Sequence, residues 1–110
     1  MPRYPVLQPD GKLAVWSTIV DAFVAIDCAA DEATAVLQHW YDNESRSELQ
    51  EIVNRCAKGE QVYDWWWDWP KCVAWATFLY GESDGTVKLA IERTPDAMTR
   101  RYIEQYVMTC

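Results

Sequence analysis

At 110 residues, half of them hydrophobic, with a formal net charge of −7, the chain is sized for one domain spanning residues 1–110. Such apolar content excludes a disordered tail. Such acidity disfavours direct contact with nucleic acid, because a negative field repels phosphates and attracts cationic partners.

The longest apolar runs, such as Val73 to Leu79, are too short to cross a bilayer. The opening Met1-Pro2-Arg3-Tyr4-Pro5 does not make a secretory signal. A cytoplasmic protein without membrane association is therefore expected, of no stated oligomeric state. The cysteines agree: Cys28, Cys56, Cys72 and Cys110 are widely spaced, with no C-x-x-C pair. That suits buried free thiols better than a disulfide framework or a zinc site, so neither metal nor cofactor is expected. The negative charge is concentrated. From Leu13 to Ser45 there is no Lys or Arg, while Asp21, Asp27, Asp31, Glu32, Asp42 and Glu44 all fall there; from Arg93 onward the balance turns slightly basic.

In chain order, Tyr4 to Gln8 alternates as a short strand, and Pro5 assigns it to a sheet edge. Pro9-Asp10-Gly11 is a turn, and Lys12 to Trp16 returns as a second strand. From Thr18 to Ile26 the apolar residues fit both periods. A capping pair, Thr18 and Asp21, with Ile19, Phe23 and Ile26 on one face, points to a helix. Asp31 and Glu32 open a second helix, whose stripe is Ala33, Val36, Leu37, Trp40 and Tyr41. A third runs from the Ser45-x-x-Glu48 capping box through Leu49, Ile52, Val53 and Cys56 to Gly59, with Glu51 placed to pair with Arg55.

Beyond Gly59, aromatic and β-branched residues predict strands: a Trp-rich segment from Tyr63 to Trp69, then a hairpin of Lys71–Tyr80 and Thr86–Arg93 around Gly81 to Gly85. A helix starting near Pro70 is the alternative for the first arm. Thr94-Pro95-Asp96 starts a final helix with Met98, Tyr102 and Tyr106 on its apolar face. The expected fold class is α+β.

The outstanding segment is Tyr63-Asp64-Trp65-Trp66-Trp67-Asp68-Trp69. As a strand it sets Tyr63, Trp65, Trp67 and Trp69 on one face, and Trp66 between Asp64 and Asp68 on the other. An indole between two carboxylates suits a cation such as a partner's Arg or Lys. Asp42 and Glu44 behind Trp40 and Tyr41 form a second patch of the same kind. The expected partner-binding set is thus Asp64, Trp66, Asp68, Trp40, Tyr41, Asp42 and Glu44. His39, the single histidine, lies on the polar side of its helix, and no nucleophile, phosphate-loop or metalloprotease motif accompanies it, so no catalytic residue is expected.

These features favour a small, acidic, non-enzymatic binding protein: a stoichiometric inhibitor, immunity, antitoxin or anti-defence factor that masks a basic protein surface, for instance that of a nucleic-acid-binding protein. Two other classes stay open. One is a small-ligand module or minor enzyme with a Trp-lined pocket. The other is a helix-turn-helix regulator reading DNA with the helix from Ser45 to Lys58.

Overall fold

The structure, a computed structural model, describes residues 2–94; the expected final helix beyond Thr94 falls outside the described residues. The fold is α+β. Strands β1 (Arg3–Leu7), β2 (Leu13–Ser17) and β3 (Ala22–Cys28) are followed by helices α1 (Ala30–Trp40), α2 (Arg46–Ala57), α3 (Trp69–Tyr80) and α4 (Gly85–Glu92). The strands form an antiparallel sheet in the order β1-β2-β3, so Pro5 lies on an edge strand as expected.

Both faces of this sheet are covered. Alternation along β2 sends Ala14 and Trp16 to one face, where they meet Tyr4, Val6, Phe23, Trp66 and Trp69 with Cys72, Val73, Val87 and Ala90 of α3 and α4. Leu13 and Val15 point to the other face, against Ala33 and Leu37 of α1 and Leu49, Val53 and Cys56 of α2. All five residues of β2 are buried. Helix α2 matches its expected bounds: the Ser45 hydroxyl accepts the Glu48 N–H, and a Schellman closure sends Gly59 N–H to Cys56 O and Glu60 N–H to Arg55 O. Arg55 pairs across that closure with Glu60, at 2.6 Å, rather than with the expected Glu51.

Four expected elements are overturned. Residues 18–26 are not a helix: residues 18–21 turn, and β3 follows. Asp21 has φ 50°, which no right-handed helix admits, and the β-branched Val24 and Ile26 suit a strand. Lys71–Tyr80 and Thr86–Arg93 are helices, not hairpin arms. The Asp68 carboxylate accepts the Lys71 N–H with Pro70 in the first turn, and the Asp84 carboxylate accepts the Thr86 and Val87 N–H groups. Two aspartate caps thus outweigh the strand propensity of short apolar runs. Residues 63–68 form a turn and extended loop rather than a strand, and Trp69 already belongs to α3.

Strand β3 carries more residues than the stretch of β2 it faces. Leu13 pairs with Cys28, Val15 with Ala25 and Trp16 with Phe23, so one residue is extra at Val24 and another in the Ile26–Asp27 stretch. The second bulge puts Asp27 at φ 61°. Its N–H donates to Gln8 Oε1 at 2.6 Å, and buried Gln8 returns Nε2 to Asp27 Oδ1 at 2.9 Å. Arg93, just past α4, closes the group with Nη2 3.0 Å from Asp27 Oδ2. One carboxylate therefore joins the end of β1, the bulge of β3 and the end of α4.

The hydrogen bond from Arg93, then that from Gln8, holds the Asp27 carboxyl below its ordinary value of 3.8. The unfolded chain binds this proton more readily than the folded one. The contribution to stability is therefore complete above the ordinary value and is lost as pH falls below it. Asp27→Ala should cost about 1–3 kcal/mol at neutral pH, because Gln8 loses its partner. Asp27→Asn, which tolerates the same backbone, should flatten the acid limb of stability against pH. Urea midpoints at about pH 6 and about pH 3.5 measure both.

Candidate functional site

Residues 61–70 form the loop between α2 and α3, and Tyr4 of β1 holds it in place. The buried Tyr4 hydroxyl accepts the Trp67 N–H at 3.0 Å, and burial pushes the phenol's pKa well up. Trp66 lies parallel to the Tyr4 ring, with centroids 4.8 Å apart, and Trp65 meets the same ring edge-on at 6.0 Å. The Trp66 N–H closes a turn onto Tyr63 O. The consequence inverts the expected alternation: Trp66 is 7% exposed and belongs to the core, whereas Trp65 is 55% and Tyr63 46% exposed. Trp66 is therefore no exposed ring between two acids. Asp68 is engaged as the cap of α3, and Asp64 is exposed.

The other indoles divide in the same way. Trp69 is buried and donates its ring N–H to Thr94 Oγ1 at 2.9 Å. Trp67 is half-buried between Trp16 and Trp75, with the Lys71 ammonium 4.7 Å from its ring centroid. The surface aromatic pair, Tyr63 and Trp65, is stacked at 6.0 Å on a buried foundation.

The second expected patch is also partly engaged. Trp40 is exposed, yet the Arg3 guanidinium already sits 3.7 Å from its ring centroid. The Tyr41 hydroxyl accepts the Arg3 N–H at 2.8 Å and donates to Arg3 O at 3.3 Å. Asp42 and Glu44 are exposed in the connection to α2. Consecutive residues of β1 thus carry the two patches: Arg3 holds Trp40 and Tyr41, and Tyr4 holds Trp65 and Trp66. Trp65 and Tyr63 were missed as surface residues because a strand period was applied to a turn.

Along the remainder of β1 runs an open groove of about 460 Å³. Pro5, Leu7 and Pro9 line one side, Gly59 to Val62 the end of α2, and Trp66 to Pro70 the other wall. Glu60 and Asp68 line it too, and among the described residues no Lys, Arg or His does. Gln8 N–H donates to Lys12 O, so the even-numbered residues of β1 exchange bonds with β2 and the odd-numbered ones face outward, toward the groove side. Two of these three positions offer no free donor: Arg3 N–H goes to Tyr41 and Pro5 has none.

Cys28, Cys56 and Cys72 are buried free thiols, and burial raises the pKa of each, so none is poised as a thiolate nucleophile. His39 is exposed and meets only the edge of Trp40, with ring centroids 5.2 Å apart, among the contacts of the described residues. Among those residues no group of three or more His, Cys, Asp or Glu could hold a metal ion.

The division of the indoles is measurable. Trp66→Ala should destabilise the fold by about 3–5 kcal/mol, the usual cost of emptying a core aromatic site. Trp65→Ala should cost less than about 1 kcal/mol, as an exposed ring. Equal losses in urea denaturation would place both rings in the core. Compared with protein families, curated proteins and solved structures, the chain has no match.

Proposed function

We propose that this chain is a non-enzymatic binding protein that masks a basic surface of a partner protein. One observation carries the reading. Exposed aromatic rings from two distant segments, Trp40 and Tyr63 with Trp65, are fixed by consecutive residues of one edge strand, Arg3 and Tyr4, whose side chains leave that edge toward opposite faces of the sheet, and Asp42, Glu44 and Asp64 are exposed in the same two segments. Rings fixed on a buried base lose little freedom on binding, and tryptophan and tyrosine are the residues most often decisive at interfaces. Carboxylates at the rim steer a cationic partner and set orientation. The net charge of −7 acts in the same direction at longer range.

The regulator reading is weaker. Helix α2, which would enter the major groove, turns Leu49, Val53 and Cys56 into the core and presents Glu48 and Glu51 beside Arg46. The small-ligand reading rests on the groove along β1.

The test is affinity capture from the source cell, followed by kinetics on the captured partner. Binding should fall steeply between about 0.05 and about 0.5 M salt, over which screening shortens to a few ångströms. Trp65→Ala should raise the off-rate about thirtyfold, the effect of losing one decisive interface ring. Asp64→Lys combined with Asp42→Lys should lower the on-rate about tenfold with less effect on dissociation. An affinity flat in salt and indifferent to Trp65, Asp42 and Asp64 would leave the acidity as solvation only and overturn the reading.

A further inference from the structure

We infer that the groove along β1 binds a proline-rich, arginine-bearing peptide segment in an extended polyproline conformation. The inference deepens the reading of a basic partner and rests on it, since the groove continues from the aromatic platform along the same strand. Four observations select this occupant. The walls are indole and pyrrolidine rings, Trp66, Trp67, Trp69, Pro5, Pro9 and Pro70, which are surfaces on which proline rings pack well. The indole N–H of Trp66 is buried and has no acceptor among the described residues, and the ring that carries it lines the groove. A polyproline segment has few N–H groups but presents carbonyls on every side, so one seated against this ring supplies the acceptor once the ring turns to admit it.

Strand addition is disfavoured, because the outward donor of Arg3 is already bonded and Pro5 has none, which breaks the row of donors. A peptide that does not need a hydrogen-bonded ladder meets no such obstacle. Charge supplies the last selection. Among the described residues the charged ones lining the groove, Glu60 and Asp68, are both acids, so a basic residue of the segment gains there and an acidic one loses. Glu60 already pairs with Arg55, which leaves Asp68, exposed beyond its capping bond, as the principal anchor.

The experiment uses the full chain labelled with ¹⁵N and follows the indole N–H signals. The probes are a ten-residue proline/alanine peptide with a terminal arginine, the same peptide ending in glutamate, and an arginine/glycine/serine peptide without proline. Free arginine is the small-cation control. The proline–arginine peptide should shift the Trp66 indole signal saturably and bind at least about tenfold more tightly than any other probe, a difference of about 1.4 kcal/mol. Trp66→Phe should weaken it about three- to tenfold, the worth of one hydrogen bond. Asp68→Asn, which keeps the cap of α3 but removes the charge, should weaken it up to about fivefold and abolish the preference for arginine over glutamate.

Thermal melts report whether each variant is folded, and Asp68→Asn still decides the matter if Trp66→Phe is not. No shift at millimolar peptide, or affinity unchanged in Asp68→Asn, overturns the inference. Equal binding of the proline-free peptide reduces the region to an electrostatic surface, and equal binding of free arginine makes it a small-cation pocket; either result also overturns it. A partner that depends on Trp65 and salt while the peptides fail leaves the platform standing and removes the groove.

Discussion

The fold depends on burying one five-residue strand on both faces at once. A three-stranded antiparallel sheet ordinarily packs one face and leaves the other to water, and its central strand then alternates apolar with polar residues. Leu13-Ala14-Val15-Trp16-Ser17 has no such alternation, and each face needs its own cover. Helices α1 and α2 supply one. The other is assembled from α3, α4 and the aromatic loop, which explains why so many indoles are found on that side. Trp16 reaches Phe23 and Trp67, Phe23 reaches Trp69, and Tyr4 orders Trp66 and Trp67. Emptying any of these would be felt by both the sheet and the loop that bears the exposed rings.

Where local signals were strong, the chain was legible from its residues. The edge strand with Pro5, the turn at Gly11, and the Ser45 cap and Gly59 closure of α2 each rest on chemistry confined to a few neighbouring residues. The errors share one physical source. Runs such as 18–26 and 71–80 are short and mostly apolar, so periods of 2 and 3.6 both fit them, and in 86–93 the apolar Val87, Leu89 and Ile91 alternate as in a strand although a helix forms there. The deciding information lay at the boundaries. Asp68 and Asp84 are helix caps, and a strand period through the Trp segment hides the capping role of Asp68 by setting it beside Trp66.

The site was half legible for the same reason. Composition marked residues 63–69 as the place to look, but which ring faces outward is set by Tyr4, 59 or more residues away in sequence, through a stacked ring and a backbone hydrogen bond. Nothing local announces that. The engagement of Trp40 by Arg3 is equally non-local. A cation–aromatic pair within the chain fills one ring face and leaves the rest of the indole to solvent, so the neighbouring acids Asp42 and Glu44 keep their outward charge without competing for that guanidinium.

The two ends of the sheet have a bearing on how much of this protein a cell could hold. A free edge normally offers a row of donors and acceptors to the next copy, and the hazard grows with concentration. Here β1 has its outward donor bonded to Tyr41 at Arg3 and absent at Pro5, and β3 is interrupted by two bulges, one of them with a left-handed aspartate. Neither edge presents a regular ladder to a second sheet. A masking protein of the kind proposed acts mole for mole and must accumulate to the level of its partner, unlike a catalyst, which can remain scarce. Blunted edges would let this chain reach such abundance without its copies recruiting one another.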